Sequence, residues 1–196
     1  MNPITHALSG WCLAEAVPAL TRRDRAIVVA SAVAPDLDGL GMLPEMLTRD
    51  SRDPLLWWTD YHHTLGHNLL FAVVCAAIGA LFADARNRVR VALLAFLAVH
   101  VHLIEDVIGS RGPDGYQWPI PYLYPFSDFT ISWDGQWFLN AWQNFAITIA
   151  LLVATFVLAW WRRYSPVGLF SRRADAVFVT TLRRRFAARD DSPHHP

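Results

Sequence analysis

The 196-residue chain contains no lysine; all 17 of its basic residues are arginine. They are balanced by 17 acidic residues, so the formal net charge is zero. A chain without excess positive charge has no bulk attraction to a polyphosphate, and no nucleic-acid partner is expected. Cysteine is scarce as well. Cys12 and Cys75 both lie in apolar runs, where they read as small buried side chains rather than a disulfide frame or a zinc knuckle. The opening residues Met-Asn-Pro-Ile-Thr-His carry no basic cluster, so no cleaved signal peptide is expected. No internal repeat is found.

What the chain has in abundance is apolar surface. Hydrophobic residues make up 54% of it, with nine tryptophans, a composition that points to a membrane protein with polar loops. Residues 4–20 are apolar and small, interrupted by His6 and Glu15. Ala26 to Ala34 is a second short run, ended by Pro35-Asp36-Leu37-Asp38-Gly39, which should place both aspartates at a helix mouth. Both runs are short for a bilayer crossing, which takes ~20 apolar residues. Residues 39–61 read as a polar loop carrying the interfacial pair Trp57-Trp58. Leu69 to Ala83 is uncharged and nearly long enough to span, with Thr64 as its expected N-cap. Val91 to Ile108 follows, and Leu139 to Trp161 is the clearest transmembrane stretch. Residues 109–138, rich in Gly, Pro and aromatics, are a long irregular segment, readable either as a substrate-facing lid or as an aromatic belt in the headgroups. The tail should hold an amphipathic helix around 174–187, and no specific role is expected for His194 and His195.

The chemistry-bearing stretch is Val99-His100-Val101-His102-Leu103-Ile104-Glu105-Asp106. A helix turns about 100° per residue, so His102 and Asp106 share a face, whereas His100 points nearly the opposite way. An imidazole and a carboxylate on one face are half of a four-coordinate metal site. Fourteen of the 17 arginines lie in three segments, 22–25, 86–90 and the tail. The positive-inside rule makes those segments cytoplasmic. With alternating helices, His6, Asp36, Asp38, His62, His63, His67, His102 and Asp106 all fall at the other end. His62 and His67 are five apart and cannot share a regular helical face. The expected metal ligands are His6, Asp36, Asp38, His62, His67, His102 and Asp106. Asp38 is the expected bridge or general base, His63 a further ligand or proton shuttle, and Glu105 a supporting group. So many donors suit two or three adjacent divalent ions sharing carboxylate bridges, zinc or a similar metal, which lower the pKa of a bound water and clamp the leaving oxygen of a phosphoester or similar substrate. The plain alternative is a polar interfacial network without metal.

The order His6, Pro35-Asp36-Leu37-Asp38, His62-x4-His67-Asn68-Leu69-Leu70, His102-x3-Asp106, Tyr124-Pro125-Phe126-Ser127 resembles the YdjM-like family of bacterial inner-membrane proteins. That family carries a metal-dependent hydrolase label, and some members a LexA-binding one. The resemblance runs from residue 1 to about residue 160. The family's usual His-Arg-x-x-Thr-His-Ser stands here as His62-His63-Thr64-Leu65-Gly66-His67-Asn68, and Gly39 replaces a common histidine. The ligand order is also similar to that of zinc-dependent phospholipase C and P1-type nucleases, which implies a phosphoester or lipid-headgroup substrate. No later His-x3-Glu follows Asp106, so one or two ions are expected rather than three.

The expectation is therefore an all-α integral membrane bundle of four to five helices with a polar metal site at one end. Residues 1–161 form the membrane-embedded domain and 162–196 a basic cytoplasmic tail. The chain is expected in the bacterial inner membrane with its metal site periplasmic, acting on a small-molecule or lipid ester. A non-catalytic regulatory scaffold with a structural metal, with a protein regulator as partner, is the main rival implied by the resemblance. A metal transporter ranks below both, because the apolar runs offer no continuous polar path.

Overall fold

A computed structural model describes residues 1–186. The described residues are helical, with no strand. Helix α1 spans Pro3–Ala16 and α2 Arg22–Val33, followed by a 3-10 segment, Ala34–Gly41. Then come α3 (Met42–Thr48), α4 (Trp57–Tyr61), α5 (Leu69–Phe82), α6 (Arg88–Gly109) and α7 (Trp142–Arg162). A short 3-10 turn at Pro166–Leu169 leads to α8, Arg172–Arg185. The all-α reading holds, although the helical segments outnumber the four to five expected. The difference lies largely at 39–61, where the expected loop winds into α3 and α4.

Local signals account for the helix ends. The Asn2 side chain accepts from the Ile4 and Thr5 amides at the start of α1, and Thr21 with Asp24 forms a capping box on α2. Pro35 tightens the end of α2 into 3-10 geometry and Gly39 lies within that segment, so both aspartates leave the regular helix there. The expected cap at Thr64 is corrected: Asn68 caps α5, its side chain accepting from Phe71 N at 2.8 Å. The chain between Tyr61 and Asn68 is folded into turns instead, which keeps His62, His63 and His67 off regular helix.

Helix α6 is the axis of the bundle. Its buried positions Val91, Leu94, Ala95, Ala98, Val99, His102, Leu103 and Asp106 recur every three or four residues, one continuous stripe that is apolar below and polar at its last turns. Helices α1, α2 and α5 pack on α6, and α7 packs on α1. Where α1 crosses α2, a Cβ added at Gly10 would lie 2.5 Å from Ala32 Cβ, so only glycine permits this approach.

The two ends of the bundle differ in chemistry. At one end, buried Asp24 accepts the Asp84 amide at 2.9 Å, the Thr21 amide at 2.9 Å and Asn87 Nδ2 at 2.7 Å. Arg22 there donates to Leu169 O at 2.7 Å, and Arg25 pairs with buried Glu15. This locks the three arginine-rich segments together. The histidines and aspartates collect at the other end. Three helical stretches are long and apolar enough to cross a membrane: Arg22–Thr48, Arg88–Gly109 and Trp142–Arg162. The first arises because α2, the 3-10 segment and α3 run on as 27 helical residues, which carry the short apolar run Ala26–Ala34 within a stretch long enough to cross. Helix α5, at 14 residues, is not among them.

Candidate metal centre

Four chain segments deliver side chains to one point. The first turn of α1 brings His6, the 3-10 segment brings Asp36, the turn before α5 brings His63 and His67, and α6 brings His102 and Asp106. His6, His67 and His102 are fully buried, and Asp106 is 3% exposed. Buried imidazoles and carboxylates at this density persist only when partnered.

The imidazoles share one arrangement. His102 Nδ1 faces Ala32 O at 2.8 Å, His6 Nδ1 faces Glu105 Oε2 at 2.6 Å, and His67 Nδ1 faces Asp38 Oδ2 at 3.1 Å. Each of those partners is an oxygen acceptor, so each Nδ1 carries a hydrogen and each Nε2 is the atom left to face a ligand, a metal ion displacing any proton there. The three Nε2 atoms converge on Asp106: His102 at 3.0 Å, His67 at 3.4 Å, His6 at 3.4 Å. His67 Nε2 and His102 Nε2 stand 3.1 Å apart, and the His6 and His102 rings stack at 3.7 Å. Imidazoles anchored through one nitrogen, with the other aimed into a shared space, are how proteins orient metal ligands.

The donors fall into two groups, each with its ligand atoms within 4.8 Å of one another. One is His6, Asp36, His102 and Asp106; the other is His63, His67 and Asp106. Asp106 belongs to both. The fit to a cation shows in the orphaned atoms: buried His6 Nε2, Asp36 Oδ2 and His63 Nδ1 have no hydrogen-bond partner, and all three are metal-donor atom types. His63 is held at φ +66, a backbone conformation that costs a non-glycine residue about 1–3 kcal/mol and marks functional positions.

Two expected ligands sit one step further out. Both Asp38 oxygens are taken, Oδ1 by His62 Nδ1 at 2.9 Å, Oδ2 by His67 Nδ1 and the Gly66 amide at 3.2 Å. Asp38 thus positions two histidines, and neither it nor His62 belongs to a donor group. The carboxylate common to both donor groups is Asp106. Glu105 holds His6 and also accepts from Ser9. His100 points away, bonded to Phe96 O at 2.8 Å and to the Tyr122 hydroxyl at 2.9 Å. The Met1 amine contacts Asp106 and bonds Ser110 Oγ at 2.7 Å.

Charge in the turn before α5 is polarised. Burial opposes a charge on His67, but hydrogen bonds and attraction from Asp106 and Asp38 outweigh it and raise its pKa to about 9. Burial, reinforced by repulsion from His67, pushes His63 well below the usual imidazole range, so His63 is neutral. Glu105→Ala is expected to free the His6 ring and weaken metal binding by about 10–100-fold; a titration with a chelator-buffered metal reads this, and unchanged affinity would show that Glu105 does not orient a ligand.

A cleft of about 770 Å³ opens over Asp36, His62, His63 and Asp106. Its walls include Trp58, read from the sequence as interfacial, and Trp118, which the sequence did not single out. Trp58 stacks on His62 at 3.7 Å, and Trp118 lies 5.1 Å from His63. Residues of the segment 109–138 form the far wall of the cleft. The segment is held by Gln136 Nε2 on Asp106 O at 2.9 Å, by Trp137 Nε1 on Asn144 Oδ1 at 2.6 Å, and by the reciprocal Ile120–Ile131 bridge. Gly66 is a further unread feature: a Cβ there would fall 2.4 Å from Pro35 O, so only glycine lets the histidine turn close on the 3-10 segment.

A family model for YdjM inner membrane proteins matches residues 1–180. The chain belongs to the YdjM inner membrane protein family. The YdjM match runs past α7 into α8, further than the resemblance ending near residue 160. No curated protein and no solved structure matches the chain.

Proposed function

We propose that this YdjM-family protein is a membrane-bound metal-dependent hydrolase acting on an ester or phosphoester. The observation that carries the reading is the set of three buried imidazoles whose Nδ1 atoms are anchored and whose Nε2 atoms converge on Asp106 beside an open cleft. His6, Asp36, His102 and Asp106 would hold one divalent ion, and His63, His67 and Asp106 a second. Zinc or manganese bound there would supply Lewis acidity and an activated water.

The protein's own groups supply the rest. Asp36, part-exposed with one unpartnered oxygen, faces the cleft and can take a proton from an incoming nucleophile. His63, held neutral, keeps a nitrogen lone pair available to the second ion. Trp58, Tyr116 and Trp118 line the cleft. In orientation, the arginine-rich end would be cytoplasmic and the metal end periplasmic; a reporter fused at the C-terminus is expected to read as cytoplasmic, and a periplasmic signal would invert this topology.

The test of the reaction is hydrolysis of chromogenic phosphomono-, phosphodi- and carboxylic esters by detergent-purified protein, metal-loaded or chelated. Metal-dependent turnover abolished in His102→Ala is expected. A metal-replete protein that hydrolyses none of the classes, and whose Tm collapses on chelation, would favour the scaffold reading. One observation favours that second reading: the centre ties α1, the 3-10 segment, the turn before α5 and α6 together through fully buried histidines, as a closed structural site does.

A further inference from the structure

The end opposite the metal centre carries an apolar groove that the hydrolase reading does not use. It lies between α7 and α8, has a volume of about 590 Å³, and is lined by Val153, Phe156, Val157, Trp160, Leu182 and Phe186. Val153 to Trp160 cover about 10 Å along α7 at 1.5 Å per residue, and Val153, Val157 and Phe186 are more than half exposed. At one end of the groove Arg183 donates to Trp160 O at 2.8 Å and lies over the Trp160 ring at 5.5 Å. Arg184 and Arg185 complete the last turn of α8, and Arg162 lies over Trp161 at 4.9 Å just beyond.

Nothing acidic in α8 offsets these charges. Its one carboxylate, Asp175, is buried and accepts from Ser165 N at 2.9 Å and Ser165 Oγ at 2.6 Å. An acyl chain ending in an anionic headgroup satisfies both halves, since its tail covers the exposed valines and phenylalanines while its phosphate meets the guanidinium groups. We propose that the α7–α8 groove is a binding site for an anionic phospholipid, seated with its headgroup at Arg183 and Arg185, which flank the Leu182–Phe186 face of α8. The site is independent of the metal centre.

The experiment is native mass spectrometry of the full chain released from mixed micelles of phosphatidylglycerol and phosphatidylcholine. Wild type is expected to retain phosphatidylglycerol about tenfold over phosphatidylcholine, given the attraction of several arginines for one anionic headgroup. Combined Arg183→Gln, Arg184→Gln and Arg185→Gln should bring the ratio near one. Val157→Trp, at an exposed position that the fold tolerates, should reduce retention by filling the groove. Combined Arg86→Gln and Arg88→Gln removes charge elsewhere at the same end and should leave the ratio unchanged. Equal retention of both lipids by wild type, or an equal loss of preference in the Arg86/Arg88 variant, would overturn the proposal.

Discussion

Replacing Asp106 with alanine is expected to empty both metal-holding groups at once, whereas Asp36→Ala should cost only the ion shared with His6 and His102, and His63→Ala only the other. Asp106 is the single residue common to the two groups. Its loss also leaves His6, His67 and His102 buried without their central carboxylate, a change worth about 3–5 kcal/mol where a buried partner is removed. Asp106→Asn keeps the shape while removing the charge, and separates lost ligation from lost packing. Metal content and Tm measured side by side read both effects. If Asp106→Ala keeps its full complement of metal, the shared-carboxylate arrangement is wrong.

The second large effect is expected at the opposite end. Asp24→Ala should destabilise the protein by about 3 kcal/mol, because two backbone amides and the Asn87 side chain lose their acceptor in a buried setting. Metal content should be unchanged, since no metal-group residue touches Asp24. Thermal unfolding in detergent checks the first part and elemental analysis the second. A variant as stable as wild type would show that the arginine-rich segments are held by the apolar contacts of Ala14, Leu20, Val28 and Val91 alone.

Helical periodicity made α6 and its polar last turns readable, because the His102–Asp106 spacing simply continues the buried stripe of Val91, Leu94, Ala98 and Val99. The segregation of histidines from arginines was readable for the same reason: helix alternation fixes which ends meet. The roles of Asp36 and Asp38 were not. Two residues apart on a 3-10 turn, they differ only in what stands opposite, and His62, Gly66 and His67 reach Asp38 through tertiary folding. The same holds for Trp118 and for the segment 109–138, whose fold rests on single long-range bonds such as Gln136 to Asp106 O. Thr64 and Asn68 are both good caps by type, and the choice between them was made by the histidine turn packing on Pro35. His194 and His195 lie outside the described residues.

The central claim is that the buried histidine and aspartate cluster is a metal centre, and the most direct measurement is the metal content of detergent-purified protein by elemental mass spectrometry, before and after reloading with zinc or manganese. One to two ions per chain in wild type, lost in a folded His102→Ala variant, is the predicted result. No metal above background in wild type, even after reloading, would contradict it and leave the cluster as a polar network that holds the end of the bundle together.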